Sequence, residues 1–208
     1  MTARTAPETR ERILDAACDA IADHGIEDMR IARIATKARV SPALVHYHFE
    51  TREALLAEAL EHSFQLLGDL RTAHPAAVDW TAAQRLGWMV DQSLPFAGLG
   101  EREWRLWLEL WGRAARRPEL RAVAARLYER YDDWIAEVVE EGIAAGEFEA
   151  ADARAVTQRI VAAIDGHGLR VLVDDPAMSA ARARSLIVAA LARDLRADAS
   201  AFDWRGGT

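Results

Sequence analysis

The sequence predicts an all-α protein. Three observations carry this. Ala, Leu, Glu and Arg, all strong helix formers, dominate the chain. Apolar residues recur at three- and four-residue spacings, and no segment alternates β-branched and polar residues as a strand would. The length of 208 residues suits one medium domain or two small ones. Hydrophobic residues make up 51% and charged residues 28%, an ordinary balance for a globular chain in water. The single cysteine, Cys18, excludes an intrachain disulfide and any zinc site built on several cysteines. Residues 1–12 hold three arginines and two glutamates without an apolar run, so no signal peptide is expected. No stretch approaches the roughly 20 apolar residues of a membrane span. A cytoplasmic protein without membrane contact is therefore expected.

The elements follow in order. A first helix is expected over residues 8–24, where Ile13, Ala17 and Ile21 share a face with Leu14 and Cys18 beside them. His24-Gly25 ends it, because glycine takes a left-handed stop without strain. A second helix runs over about residues 30–38. After a turn at Arg39-Val40, Ser41 supplies an N-cap and Pro42 the first position of a short third helix ending near Phe49. Thr51 caps a fourth helix reaching about Arg71. The stretch Thr72–Asp79, with His74-Pro75, is the clearest break. Further helices are expected over 79–94, 101–116, 118–143, 151–173 and 177–196. Pro95 with Gly98 and Gly100, then Pro118, then Gly142 with Gly146, then Asp174-Asp175-Pro176 separate them. The expected division is 1–50, 51–197 and a frayed tail over 198–208, which lacks helical periodicity. No internal repeat or low-complexity tract is present.

Charge is unevenly placed. Residues 29–49 contain Arg30, Arg33, Lys37 and Arg39 and no acidic residue, in a chain of net charge −7. Through Arg52, eight basic and eight acidic residues cancel, so the remainder carries the whole −7. The N-terminal quarter can approach a polyanion that the rest would repel. Two short helices joined by a three-residue turn place the second as a probe, here Pro42–His48. Such a probe enters the DNA major groove while the first helix crosses the backbone. Short amphipathic helix pairs also occur in ordinary bundles.

Ile34-Ala35, Val40-Ser41, Leu44, Tyr47-His48-Phe49 and Leu55-Leu56 resemble the N-terminal DNA-binding domain of TetR-family transcriptional regulators, across about residues 9–56. The resemblance implies a homodimer with an N-terminal three-helix bundle carrying a helix-turn-helix. It also implies a larger C-terminal helical domain for effector binding and dimerisation. By the same resemblance Ile34, Ala35, Val40, Leu44 and Phe49 form a small core. Ser41, Pro42, Ala43, Leu44 and His46 occupy the reading helix, and Tyr47 and His48 sit on the phosphate backbone. Arg52, at the start of the fourth helix, would touch phosphate together with the positive end of that helix. Arg30, Arg33 and Lys37 complete the expected contacts to a double-stranded DNA operator.

The sequence departs from the family pattern in places. Arg30 stands where a threonine N-cap is common, leaving Asp28 as the candidate cap. Arg39 replaces a common turn glycine, at a cost of about 1 kcal/mol if its φ is positive. Pro42, Ala43 and Val45 alter the reading surface. Specificity is then expected from contact of Ala43 with thymine methyls, from phosphate contacts and from DNA shape. His46 and His48 lie two apart on a helix, about 200° around its axis, so no shared metal ion is expected.

Trp104, Trp107 and Trp111 recur at i, i+3 and i+7 on one helix face, and Tyr128, Tyr131 and Trp134 lie on the next helix. They read either as a filled core or as the wall of a ligand pocket between helices, and both can hold at once. Trp107 and Trp111 ahead of Pro118-Glu119-Leu120, then Tyr128, Gly142, Gly146-Glu147-Phe148 and Ala163-Ile164-Asp165-Gly166, resemble the BetI-type effector domain over about residues 80–195. His167 interrupts the usual run after Asp165-Gly166. That resemblance implies a choline-like or polyamine cation as small-molecule effector. Aromatic faces attract such cations by about 0.5–2 kcal/mol each. Glu103, Glu109, Asp132, Asp133 and Glu137 are candidate carboxylates, most of them expected on solvated surface. An uncharged aromatic or hydrophobic compound fits the same rings. The last two helices close the monomer core or, by resemblance, form a four-helix interface with a second copy. The dimer would present its probes to major grooves roughly 34–36 Å apart.

The expected function is a ligand-responsive repressor. No G-x-S-x-G, H-E-x-x-H, phosphate-binding glycine loop or cysteine pair is present, so neither catalytic residues nor a cofactor are expected. The alternative is a small-molecule-binding or interaction module without specific DNA binding, which the zero net charge of the N-terminal quarter keeps open.

Overall fold

A computed structural model describes residues 6–72, 79–95, 99–149 and 152–206. The described residues form nine α-helices and two short 3-10 turns, with no strand among them. These helices are α1 (Ala6–His24), α2 (Ile31–Ala38), α3 (Pro42–His48), α4 (Arg52–Thr72), α5 (Ala82–Ser93), α6 (Leu99–Ala114), α7 (Pro118–Ala144), α8 (Ala153–Leu172) and α9 (Ala180–Leu195). Every expected helix is present. The expected break at His74-Pro75, and Gly98 with it, lie outside the described residues. No helix among the described residues is long and apolar enough to cross a membrane.

Local chemistry sets the helix ends. Ser41 Oγ accepts the Leu44 N–H at 3.2 Å, with Pro42 opening α3. Thr51 Oγ1 accepts the Ala54 N–H at 3.0 Å at the start of α4. Thr81 and Gln84 close a capping box on α5. The Glu147 carboxylate adds two more acceptors there, for the Ala82 and Ala83 N–H groups, each at 3.1 Å. Gly25 stops α1 at φ 69°. α2 begins without a side-chain cap: Arg30, not Asp28, holds the capping position and its side chain makes no capping bond. Arg39 takes the left-handed conformation at φ 55°.

The chain divides into two compact units, residues 1–68 with 102–127, and residues 69–101 with 128–208. The boundary expected after residue 50 does not coincide with them, because α4 packs into the first unit. Leu55, Leu56, Ala59 and Leu60 are buried, and the Cys18 thiol donates to the Ala59 carbonyl at 3.2 Å. The core of this unit adds Ile13, Ala17 and Ile21 of α1, Ile34 and Ala35 of α2, and Leu106 and Leu110 of α6. Each large apolar side chain so buried stabilises by about 1.5–3 kcal/mol. Val45 is fully buried and anchors α3, whereas Leu44 and Val40, expected in that core, are half-exposed.

In the second unit α8 and α9 pack together. Val156, Ile160 and Ile164 are buried on α8, and Ile187, Leu191 and Leu195 on α9. The tail expected to fray is instead docked as far as residue 206. Ala199–Phe202 and Trp204–Gly206 form 3-10 turns. Phe202 is fully buried, and its ring stacks on Phe148 at 6.2 Å. Asp91 accepts the Trp204 Nε1–H at 2.6 Å and pairs with Arg184 at 2.7 Å and Arg205 at 2.9 Å. Gly87 permits the approach, since a Cβ there would lie 1.9 Å from the Phe202 carbonyl oxygen.

Candidate functional site

The helix-turn-helix presents its polar groups outward because its apolar groups fix its inner face. Ile34, Ala35 and Ala38 bury one side of α2, and Val45 and Phe49 bury one side of α3. The opposite side of α2 carries Arg33 and Lys37 at i and i+4, with Arg30 just before the helix, all exposed. Ser41, Pro42, Ala43 and His46 are exposed on the probe, Leu44 and His48 are half-buried, and Arg52 is exposed at the start of α4. Tyr47 is 81% exposed, its ring edge-on to His48 at 5.4 Å. Among the described residues Arg30, Arg33 and Arg52 make no ion pair. Lys37 Nζ lies 2.6 Å from the Asp19 carboxylate. No group of three His, Cys, Asp or Glu side chains among the described residues is placed to hold a metal ion.

The aromatic residues fall in two settings. In the first unit the rings of α6 pack along one another. Trp104 and Trp111 centroids are 6.0 Å apart, Trp107 and Trp111 are 5.7 Å apart, and Phe64 of α4 meets Trp107 edge-on at 6.3 Å. The indole Nε1 of Trp111 is buried with no hydrogen-bond partner in the structure. Beside Phe64, the Ser63 hydroxyl donates to the buried carboxylate of Glu103. Glu103 and Trp107 stand one helical turn apart on the same face of α6. One carboxylate and several rings are thus gathered where α4 meets α6.

In the second unit the α7 aromatics hold structural polar groups. Tyr131 is buried and its hydroxyl donates to Ser93 Oγ at 2.6 Å. The Tyr128 hydroxyl donates to Asp165 of α8 at 2.7 Å. Burial pushes the Asp165 carboxyl up to about 6; the Tyr128 hydrogen bond opposes this and the charge of Asp132 adds to it. Trp134 lies under the Arg130 guanidinium at 5.9 Å.

Of the five candidate carboxylates Glu103 alone is buried. Glu109 accepts the Ile26 N–H at 3.3 Å, Asp133 pairs with Arg154 at 2.5 Å, and Glu137 is exposed. Sequence reasoning missed Ser63 and Phe64, whose partners on α6 lie some 40 residues away. It also missed the bond from Tyr128 to Asp165, although both residues stand in the quoted motifs.

Two family models match the chain. Residues 13–59 match the model of bacterial regulatory proteins of the tetR family, and residues 82–196 match that of the BetI-type transcriptional repressor C-terminal region. The HTH-type transcriptional regulator BetI of Serratia proteamaculans is 25% identical over 185 residues, spanning 86% of this chain and 89% of that one. A transcriptional regulator of Saccharomonospora viridis, solved in complex with choline, is 33% identical with a TM-score of 0.77, over 87% of this chain and 94% of that one. A TetR-family regulator of Rhodococcus sp. is 27% identical with a TM-score of 0.81, over 91% of this chain and 99% of that one. The chain belongs to the TetR family of helix-turn-helix transcriptional regulators, with a BetI-type C-terminal region, and is not an enzyme.

Proposed function

We propose that this protein is a cytoplasmic, ligand-responsive repressor. As a homodimer it binds a near-palindromic DNA operator, and a small cation of the choline type releases it. The observation that carries the ligand class is Glu103, a buried carboxylate one turn from Trp107 and joined to Ser63 beside Phe64. A quaternary ammonium has no N–H to donate, so ring faces and a nearby negative charge are what recognise it. The regulator from Saccharomonospora viridis holds choline and is the relative that supports this reading.

Dimerisation is supported by the outer faces of α8 and α9. Ala162, Gly166, Leu169 and Val173 form an exposed stripe at helical spacing along α8 and just beyond it, and Leu186 and Ala189 stand exposed on α9. Val173 is 62% exposed at the end of this stripe. Small and aliphatic residues in such a stripe suit close helix packing against a second copy. Two-fold pairing then sets two probes on one operator. The effector acts through its differential affinity for the DNA-competent and released conformers.

The test is a titration of choline into the protein bound to a fluorescent duplex selected from random DNA by the wild type. Anisotropy is expected to fall with choline in the wild type and to stay high in Glu103→Gln, which should still bind the duplex. Equal choline response in both proteins would remove Glu103 from the site. Failure of the wild type to enrich any duplex would favour the sensor or interaction module.

A further inference from the structure

A chain of polar contacts runs from Glu103 to Lys37 on α2, the first helix of the helix-turn-helix, inside the first unit. Glu103 accepts the Ser63 hydroxyl. Arg102 NH2 reaches Ser63 Oγ at 3.4 Å, and its NH1 pairs with Asp19 of α1 at 3.1 Å. Asp19 is shared, because Lys37 Nζ meets its other oxygen at 2.6 Å. Burial works against the Asp19 charge, yet Lys37 and Arg102 outweigh it and hold the carboxyl below its ordinary range.

The two cations are not equivalent. The Arg102 side chain is 16% exposed and fixed on both sides, whereas that of Lys37 is 49% exposed on the helix that also carries Arg33. Lys37 is therefore the partner free to leave. An operator phosphate and Asp19 would both seek its single ammonium.

We propose that Asp19 is a regulatory carboxylate that competes with operator phosphate for Lys37, and that Arg102 decides the competition by holding Asp19 from the other side. This rests on the proposed reading of Lys37 as a phosphate contact and of Glu103 as the effector's carboxylate. While Arg102 shares Asp19, Lys37 is held by half a partner and passes readily to phosphate. A cation bound at Glu103 repels the adjacent guanidinium and loosens its hold on Asp19. Asp19 then turns wholly to Lys37, and operator affinity falls. The sign is the one that release by a cationic effector requires. Asp19 and Arg102 act here as positioning residues, since neither needs to touch DNA or effector.

The experiment measures affinity for the duplex selected by the wild type, across a series of salt concentrations. The proteins are the wild type, Asp19→Asn, Arg102→Gln, Lys37→Gln and the Asp19→Asn/Lys37→Gln double variant. Asp19→Asn is expected to bind about two- to five-fold more tightly, the scale of one part-exposed ion pair. Its log–log salt slope should steepen by up to about 0.9, one phosphate contact. Arg102→Gln should bind more weakly than the wild type, and the double variant should match Lys37→Gln. A folding defect weakens binding, so tightening in Asp19→Asn cannot arise from one. Unchanged affinity in Asp19→Asn overturns the proposal. So does an undiminished gain in the double variant, which would mark a general charge effect. An unchanged slope in Lys37→Gln also overturns it, while wild-type binding would leave the repressor reading standing. If the wild type selects no duplex, the repressor reading fails and takes the proposal with it.

Discussion

Arg39 holds a left-handed backbone, φ 55° and ψ 48°, in which a Cβ crowds the following carbonyl. The conformation persists because the Arg39 and Val40 N–H groups close α2 onto the Thr36 and Ala35 carbonyls at 3.1 and 2.9 Å. Arg39→Gly relieves the crowding and loosens the unfolded chain, so a net gain of about 0.5–1 kcal/mol is expected. The urea midpoint reads it, and a lower midpoint would show that the arginine side chain stabilises the turn by more than its strain costs. Asp165 gives the second test at this scale. Its carboxyl lies at about 6 against an ordinary 3.8, so the folded state binds a proton that the unfolded state releases. The resulting stability is full below pH 3.8 and is lost as pH rises through about 6. The melting temperature should fall across that window by the equivalent of about 1–3 kcal/mol. Asp165→Asn keeps an acceptor for Tyr128 and should abolish the fall. A fall of equal size in the variant would assign it to another group.

At the scale of elements, the docked tail shows how much one side chain can hold. Phe202 is fully buried, stacked on Phe148, and its carbonyl rests where Gly87 leaves room. Phe202→Ala should cost about 3–5 kcal/mol, as truncation of a buried aromatic does. The Trp80–Trp88–Trp204 cluster, with centroids 4.8–5.8 Å apart, would report the loss through its fluorescence. A loss below about 1 kcal/mol would mean that the tail is held by Asp91 and its arginines instead. The sequence could not reveal this tail, because one phenylalanine in a short irregular segment leaves no period to read. The helices were legible for the opposite reason: their apolar spacing repeats, and Ser41, Thr51, Gly25 and Pro118 mark their ends. The outward cations Arg33 and Lys37 of α2 were legible from the same spacing. The core position of α3 was displaced by one residue, from Leu44 to Val45, because the helix phase follows from its Ser41–Pro42 start. Which rings keep company was not legible. Spacing fixes neighbours on one helix, so Trp104, Trp107 and Trp111 could be grouped. It says nothing of Phe64 and Ser63, which meet α6 only through the fold.

For the whole molecule the charge distribution limits how two copies can meet. The chain carries −7, all of it beyond Arg52, so two copies repel one another in water. In the proposed dimer an apolar face would supply the attraction, and Leu169, Val173 and Leu186 are three of the five exposed large apolar residues among those described. Arg182 stands exposed one turn before Leu186 on α9, so a further cation at 186 would meet like charge, whereas Arg193 is paired with Asp194 at 3.5 Å. Leu186→Arg is then a sharp test of a two-fold interface. Symmetry places the substitution in the interface twice, next to cations already there, and removes two apolar side chains at once. The exposed site leaves the monomer fold intact, so the helical circular dichroism should not change. Light scattering should move from about 46 kDa, twice the 23.0 kDa chain, to the mass of one chain. Affinity for a palindromic duplex should fall at least about tenfold, because linked half-sites gain from effective concentration and separate ones do not. Affinity for a single half-site should stay as it was. A variant that remains a dimer would place the interface elsewhere. A variant that becomes a monomer yet binds the palindrome as tightly would uncouple dimerisation from operator recognition.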